Sequence, residues 1–281
     1  TVLRVMTVLV RRCTMHAMDQ GEVDARIQAY YTEHFVEAER LTVRSAQGRL
    51  ELERTQELVC ARIPARARVL DIGGATGVHA APLAALGHDV VLIDPVAAQV
   101  AEAARAGTFQ TAVGDARCLE FGDDTFDAAL LLGPLYHLAE RRDRLTALRE
   151  AGRVVRAGGW VFAAAIPRLA RLTALTSGEA ATQHDPAQWI ALLEHGTPPE
   201  GSRFPGAHFH TAEELERELT DAGLAHVDVC AVEGPDGFGL EQVTRVDEDL
   251  HEAALRVVRG LGHLPGVRDL SPHILGIARV P

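Results

Sequence analysis

The chain has 281 residues, 47% hydrophobic and 24% charged, which is enough to bury a core and is typical of an ordinary globular protein. Its formal charge of −11 argues against a nucleic-acid partner, because neutralising a phosphate backbone needs clustered Lys and Arg. The four cysteines are widely spaced and form no C-x-x-C pair, which predicts reduced thiols in a cytoplasmic protein rather than a zinc site or a disulfide framework.

The N-terminal part of the chain precedes the first predicted strand. Residues 1–18 open on an apolar stretch that is too short for a membrane span and lacks a signal-peptide cleavage pattern, so we expect a disordered or upstream extension. The sequence pattern over residues 19–65 predicts a helical lid. Its first helix runs from Asp19 to about Leu41, on apolar residues at three- and four-residue steps, and its second from Gly48 to Ile63. These helices must pack at a sheet edge or cover its binding end.

From residue 66 onward, short apolar runs alternate with helical segments. This alternation predicts right-handed crossovers and a mostly parallel, doubly wound α/β sheet. Two further strands after the fifth bring the expected number to seven. The predicted strands are 69–72, 89–94, 109–113, 126–132, 160–166, 224–232 and 274–280, and the helices between the first five are 78–86, 95–105 and 140–156.

Residues 167–208 interrupt this rhythm with two helical pieces joined by Gly- and Pro-rich turns. We interpret them as a cap inserted over the carboxyl end of the sheet, within a single α/β domain that spans residues 66–281. After the cap, Thr211 followed by Glu214 predicts a capping box at the start of a helix.

Acidic and glycine residues follow four successive predicted strands. Asp71 leads into a glycine turn, and Asp94 lies about 20 residues after that turn, where a ribose-binding acid is expected. Asp115 follows the third strand, and Gly133 the fourth. Because the carboxyl ends of parallel strands share one edge, the sequence predicts a nucleoside site there: the glycines let a ligand approach the backbone and the acids accept its hydroxyl and amino groups.

The turn Asp71-x-Gly73-x-Ala75-x-Gly77 differs from the G-x-G-x-x-G order of dinucleotide-binding turns. It resembles the first motif, D-x-G-x-G-x-G, of the class I S-adenosylmethionine-dependent methyltransferases. Ala75 replaces the middle glycine; its methyl group should be tolerated if its φ is negative, although it slightly narrows the turn. Later landmarks occur in the family's order, strongly over 66–166 and more weakly over 209–280: Asp94, Gly114-Asp115-Ala116, Phe126-Asp127 and the Gly158-Gly159 turn.

The resemblance implies a small-molecule methyltransferase with S-adenosylmethionine as cofactor. It assigns Asp94 to the ribose hydroxyls, Asp115 with Ala116 to the adenine, and Asp71 to orienting the turn or, through water, the amino group. The backbone near Gly133 would line the methionine end. The full set of implied cofactor-binding residues is Asp71, Gly73, Gly74, Gly77, Asp94, Pro95, Asp115, Ala116, Leu132 and Gly133.

Tyr136 and His137 follow the fourth strand, close to where methyl donor and acceptor should meet, and are the candidate catalytic residues. A general base is needed only if the acceptor must lose a proton, and a structural role for His137 is an equal alternative. The candidate substrate residues lie on the lid and at the return of the cap: Tyr30, Tyr31, His34, His208 and His210. The His-x-His pair has no third ligand at a metal-binding spacing, so no metal is predicted.

The sequence thus predicts methyl transfer to an oxygen, nitrogen or carbon atom of a small molecule. The expected partners are that substrate alone, with no nucleic acid and no membrane, and the expected state is a monomer or homodimer. Three alternatives stay open: displacement within the sulfonium cofactor by its own aminobutyrate arm, a nicotinamide-dependent oxidoreductase, and a non-catalytic nucleoside-binding protein.

Overall fold

The computed structural model describes Gly21 and residues 40–176, 185–198, 207–244 and 247–281. The predicted extension 1–18 and most of the first lid helix lie outside these residues, so their predictions stay open. No helix in the described ranges is both long enough and apolar enough to cross a membrane.

Seven strands form one sheet in the order β3-β2-β1-β4-β5-β7-β6. The first five are parallel, and β7 is antiparallel to both of its neighbours, β5 and β6. This confirms the predicted doubly wound, mostly parallel α/β fold. The strands are β1 Arg68–Ile72, β2 Asp89–Asp94, β3 Gln110–Val113, β4 Phe126–Leu131, β5 Val155–Ala165, β6 Ala225–Ala231 and β7 Ile274–Arg279.

Helices cover both faces of the sheet, which explains why the central strands are continuously apolar. Along β1, Val69 points into the cluster that contains Leu58 of α1, whereas Leu70 points into the cluster that contains Leu148 of α4. The helices are α1 Ala46–Cys60, α2 Ala80–Ala85, α3 Ala97–Arg105, α4 Arg141–Val154, α5 Arg168–Thr176, α6 Pro186–His195, α7 Ala212–Asp221, α8 Gly237–Glu241, α9 Glu248–Leu261 and α10 Pro265–Asp269, with a π-helix at Arg40–Arg44 and a 3-10 helix at Pro134–His137.

Some boundaries differ from the predicted ones for local reasons. Helix α1 begins before the predicted Gly48 because the Ser45 hydroxyl caps it, accepting a hydrogen bond from the Gly48 N–H at 3.2 Å. Strand β5 begins at Val155 rather than Trp160, because Val155 already pairs with Phe126 before a shift of register. The helices α8 and α10 and the 3-10 helix went unpredicted, since elements of four or five residues carry no measurable periodicity.

Helices α5 and α6 of the predicted cap are present on either side of the undescribed residues 177–184. The predicted capping box of α7 is confirmed: the Glu214 N–H donates to Thr211 Oγ1 at 3.2 Å, and the Thr211 N–H donates to Glu214 Oε2 at 3.0 Å. The capping box therefore fixes the backbone where the chain enters α7.

Candidate functional site

A cavity of about 1180 Å³, counted to its open mouth, lies at the carboxyl ends of β1 to β4. These strand ends are adjacent because the sheet order there is β3-β2-β1-β4. The predicted residues that the structure brings together in its lining are Asp71, Gly73, Gly74, Asp94, Pro95, Asp115, Ala116, Leu132, Gly133, Tyr136 and His137. Gly77 lies against Phe109 rather than in this lining.

The turn after β1 needs its glycines because of backbone angle and close packing. Gly73 and Gly77 have φ of 71° and 86°, in the left-handed region. A Cβ on Gly73 would lie 2.9 Å from Pro134 Cγ, and one on Gly77 would lie 2.4 Å from Phe109 Cζ. Both positions therefore need glycine, because the turn is left-handed there and packs closely on Pro134 and Phe109.

Ala75 does not meet the condition of a negative φ: its φ is +47°. A left-handed conformation costs an L-residue roughly 1–2 kcal/mol. The turn holds it because the Ala75 N–H donates to Asp94 Oδ2 at 3.0 Å, joining the turn to the end of β2. The turn therefore holds a left-handed residue at this position without a glycine.

Asp94 is a buried carboxylate with a partner on each oxygen. Oδ2 accepts from Ala75 N, and Oδ1 accepts from Val96 N at 2.8 Å. Burial raises the pKa of Asp94, while the two backbone hydrogen bonds oppose that rise. A carboxylate offers about four acceptor positions, so a ribose diol can still be bound at this edge.

Asp71 lies in the same cavity wall but is only 1% exposed, and its Oδ2 has no hydrogen-bond partner among the described residues. Burial, and then the charge of Asp94, raise the pKa of Asp71 to about 7. A Cβ on Gly74 would lie 2.6 Å from Asp71 Oδ2, so glycine is what leaves space for this carboxylate. An orphaned buried carboxylate of this kind is stabilised by a cationic ligand.

Asp115, at the end of β3, is fixed by Arg117, a cavity residue that the sequence analysis missed. Arg117 Nε donates to both carboxylate oxygens, at 3.0 and 3.1 Å, and Nη2 donates to Oδ2 at 2.6 Å. Burial would raise the pKa of Asp115, but Arg117 outweighs it and the pKa is lowered. The sequence signal that could have identified Arg117 is its positive charge two residues after Asp115, a predicted binding acid.

Tyr136 and His137 line the cavity from the 3-10 helix that follows β4. The Tyr136 hydroxyl donates to Leu132 O at 3.4 Å, and the two rings lie 4.8 Å apart. The His208 N–H donates to Tyr136 O at 3.3 Å, so the chain returning from the cap holds this loop in place.

The structure does not bring His208 and His210 into the cavity lining as the sequence analysis predicted. His210 is fully buried, with Nε2 3.2 Å from Glu218 Oε2, and Glu218 also pairs with Arg144 at 2.8 Å. Burial lowers the pKa of His210 to about 4, even though Glu218 opposes that shift. His210 therefore belongs to a buried network that joins the segment before α7 to α4 and α7.

The remaining candidate substrate residues, Tyr30, Tyr31 and His34, lie outside the described residues. The cavity lining also includes three residues with ionisable side chains that were not predicted: Arg40, Glu51 and His79. They come from the π-helix, α1 and the start of α2, and no regular spacing in the sequence connects them. The Gln56 Nε2 donates to His79 O at 3.2 Å, which ties α1 to the turn after β1.

Residues 69–159 match the family model described as a methyltransferase domain. This segment of the chain is therefore similar to a methyltransferase domain. The match includes the glycine turn, Asp94, Asp115 and the loop after β4, so it covers the four strand ends that form the cavity. The comparison with curated protein sequences gives no match.

Solved structures show the same fold. A SAM-dependent methyltransferase and possible histamine N-methyltransferase from Thermotoga maritima aligns over 94% of this chain and all of its own, with 18% identity and a TM-score of 0.57. A methyltransferase from Mesorhizobium loti covers 82% of this chain and 99% of its own, at 18% identity and a TM-score of 0.55. The [4+2]-cyclase SpnF covers 82% and 81%, at 22% identity and a TM-score of 0.52.

The solved structures above are SAM-dependent methyltransferases and a cyclase, and this chain shares their fold. The residues present fit S-adenosylmethionine, the cofactor that the sequence predicts, on two counts. Asp94 offers carboxylate positions for a ribose, and Asp71 is an orphaned buried carboxylate suited to a cation.

Proposed function

We propose that this methyltransferase transfers the methyl group of S-adenosylmethionine to an oxygen, nitrogen or carbon atom of a small molecule. The observation that carries the proposal is that Tyr136 and His137 share one cavity with Asp71 and Asp94. A donor held at Asp94 and an acceptor held beside His137 would thus occupy connected space.

Within this proposal each strand end has one task. Asp115 with Ala116 meets the adenine at β3, and Asp94 holds the ribose hydroxyls at β2. Gly73, Gly74 and Gly77 with Asp71 shape the turn at β1, while Gly133 and its neighbours line the methionine end at β4. Pro95 and Leu132 complete the apolar walls.

When bound, the cofactor supplies a methyl group on a positively charged sulfur. Displacement at that carbon needs alignment and the exclusion of water, which shaped apolar walls provide. Leu132 and Leu138 supply such walls beside the loop after β4. His137 would accept the proton of an acceptor that must lose one, and Tyr136 would orient the acceptor.

Charge and architecture favour a small, non-polyanionic acceptor. The cavity lining contains Glu51, Asp71, Asp94 and Asp115 against two arginines, a poor surface for a phosphate backbone. The Thermotoga neighbour is named as a possible histamine methyltransferase, which is consistent with a small acceptor. We further propose a lid over residues 19–65, a cytoplasmic location, no nucleic-acid or membrane partner, and a monomer or homodimer.

A second candidate is non-methylating chemistry at the same site, such as displacement by the cofactor's own aminobutyrate arm. The fold's occurrence in the [4+2]-cyclase SpnF keeps this alternative open, because it shows that the fold is not tied to one reaction. The family match favours methyl transfer over this alternative and over nicotinamide-dependent oxidation.

Product analysis tests the proposal. The protein is incubated with S-adenosylmethionine and a panel of amines, phenols and carbon acids, and the nucleoside products are separated by mass spectrometry. Methyl transfer yields S-adenosylhomocysteine together with an acceptor 14 mass units heavier, a difference of about one CH₂ group. Formation of methylthioadenosine without a methylated acceptor would instead establish the intramolecular reaction, and binding without either product would support a nucleoside-binding protein.

A further inference from the structure

Arg144, on helix α4, anchors the loop after β4 from behind the cavity. Its Nη1 donates to Leu138 O at 2.9 Å and to Ala139 O at 2.7 Å. These two carbonyls directly follow His137 in the chain. Arg144 is only 3% exposed, so water competes little for these hydrogen bonds and they are stronger than at a surface. The position of the His137 backbone therefore depends on a side chain of α4.

Glu218, on helix α7, sets the orientation of this guanidinium. Arg144 Nε donates to Glu218 Oε1 and Oε2, at 3.2 and 3.0 Å, and Nη2 donates to Oε1 at 2.8 Å. The edge formed by Nε and Nη2 is thus bound to the carboxylate, and Nη1 is left for the loop. Burial would raise the pKa of Glu218, but His210 and Arg144 outweigh it and lower that pKa to about 2. Glu218 is therefore an ionised partner for Arg144 at neutral pH.

His210, in the segment that returns from the cap, holds Glu218 in turn. Its Nε2 lies 3.2 Å from Glu218 Oε2. Because burial keeps this imidazole neutral at pH 7 and an ionised carboxylate can only accept, we assign the hydrogen to Nε2, which makes His210 the donor. The His210 backbone is fixed as well: its N–H donates to Ile166 O at 3.1 Å, and its carbonyl accepts from Arg168 N at 2.9 Å.

These contacts close a ring of hydrogen bonds through the loop. His208, two residues before His210, donates its N–H to Tyr136 O at 3.3 Å. The segment from Tyr136 to Ala139 is thus held at its start by the return of the cap and at its end by α4, and Glu218 joins the two anchors. Buried hydrogen bonds that share partners strengthen one another, so the loss of one loosens the others.

Attachment of α4 to α7 does not by itself require this arrangement. The two helices are also joined at the surface, where Arg149 Nη2 donates to Asp221 O at 3.3 Å. In a buried ion pair desolvation offsets much of the attraction, so apolar side chains could join the same helices about as well. Apolar side chains could not bind the carbonyls of residues 138 and 139. The feature that sets Arg144 apart is its contact with the loop.

We propose that Arg144 is a positioning residue of the proposed methyl transfer. Through the carbonyls of residues 138 and 139 it fixes the loop that places Tyr136 and His137 at the cavity, and Glu218 orients it. This inference rests on the proposed function, in which the acceptor binds beside His137. A misplacement of about 1 Å at a reacting group can slow a reaction about 100-fold. A loosened loop should therefore lower kcat and leave cofactor binding at β1 to β3 unchanged.

Amide hydrogen exchange and steady-state kinetics test this on two variants. Arg144→Met combined with Glu218→Gln removes both charges and leaves no buried ion unpaired, so the protein should stay folded. Arg144→Lys keeps the positive charge but lacks the planar fork that reaches the carboxylate and the carbonyls together.

In both variants the amides of Leu138 and His208, which are hydrogen-bonded to Leu135 O and Tyr136 O, should exchange about tenfold faster or more, while the amides of β1 and β4 keep their wild-type rates. With an acceptor from the product screen, kcat should fall about tenfold or more. The KM for S-adenosylmethionine and the dissociation constant of S-adenosylhomocysteine should stay within about threefold of wild type, because neither contacts the network in the proposed arrangement.

The matched control is Arg149→Met, which removes a contact between the same two helices without touching the loop. It should change neither exchange at the loop nor kcat. Faster exchange at the loop with an unchanged kcat, or exchange that rises equally in the loop and in β1 and β4, would overturn the inference, as would wild-type behaviour of both variants. If the wild-type protein methylated no acceptor, the proposed function would fail, and the exchange rates would still decide whether Arg144 holds the loop.

Discussion

The cavity has two kinds of wall, built in different ways. One is the sheet edge, where Asp71, Asp94 and Asp115 follow directly after strands that the backbone ladder fixes. The other comes from flanking segments, where Arg40 and Glu51 are held by side chains distant in sequence. The first wall therefore depends on turn geometry, and the second depends on buried ion pairs.

The same contrast holds at the return of the cap. His210 is a candidate substrate residue by its position in the sequence, but it is buried and hydrogen-bonded to Glu218, which also pairs with Arg144. Charged residues outside the strand ends, such as Glu218 and Arg144, thus attach the flanking segments to the sheet. The predictions below separate attachment from ligand binding, beginning with the largest effect.

Glu218→Gln should cost about 3 kcal/mol or more of stability, because it leaves Arg144 buried without its charged partner. Denaturant unfolding measures this loss. Affinity for S-adenosylhomocysteine should stay within a few-fold of wild type, since the network lies outside the described cavity lining. If the variant were stable but bound S-adenosylhomocysteine much more weakly, the cluster of Glu218, Arg144 and His210 would belong to the ligand site.

Asp71→Asn should stabilise the ligand-free protein at high pH. The folded-state pKa of about 7 lies above the ordinary 3.8, so the ionised carboxylate costs stability that is absent below about pH 4 and complete above pH 7. The variant should therefore gain about 2 to 3 kcal/mol more at pH 8 than at pH 5. Thermal unfolding at both pH values checks this, and a gain independent of pH would contradict it.

His137→Gln should lower kcat about 100-fold if the acceptor must lose a proton, while affinity for S-adenosylhomocysteine stays close to that of wild type. Steady-state kinetics with an acceptor from the product screen measures both effects. His195→Gln is the matched control, because His195 is exposed on the cap helix α6. If kcat for His137→Gln were unchanged, His137 would have a structural role and not a catalytic one.

Ala75→Gly should stabilise the protein by about 1 kcal/mol, the smallest of these effects. Glycine adopts the φ of +47° without a steric cost, although it also gains entropy in the unfolded chain. Urea unfolding measures the difference. A loss of stability would mean that the methyl group of Ala75 makes contacts worth more than the strain.

The sheet and its edge could be predicted because their determinants are local. Apolar runs, the glycine turn and Asp94 at its expected distance each lie within one short segment. The φ of Ala75 could not be predicted, because it depends on a hydrogen bond to Asp94. The position of Glu51 in the cavity wall could not be predicted either, since its partner Gln47 also donates to Glu233, 186 residues further along the chain. Pairings of this kind become visible only in the folded chain.

The central claim is that a sulfonium nucleoside lies across the sheet edge with its ribose at Asp94. Its most direct test is calorimetric titration of S-adenosylhomocysteine into wild type, Asp94→Ala and Asp89→Ala, the last at the exposed opposite end of the same strand. Loss of charge-assisted hydrogen bonds should weaken binding to Asp94→Ala by about 2 kcal/mol, roughly 30-fold, and leave Asp89→Ala unchanged. An unchanged dissociation constant for Asp94→Ala would contradict the claim.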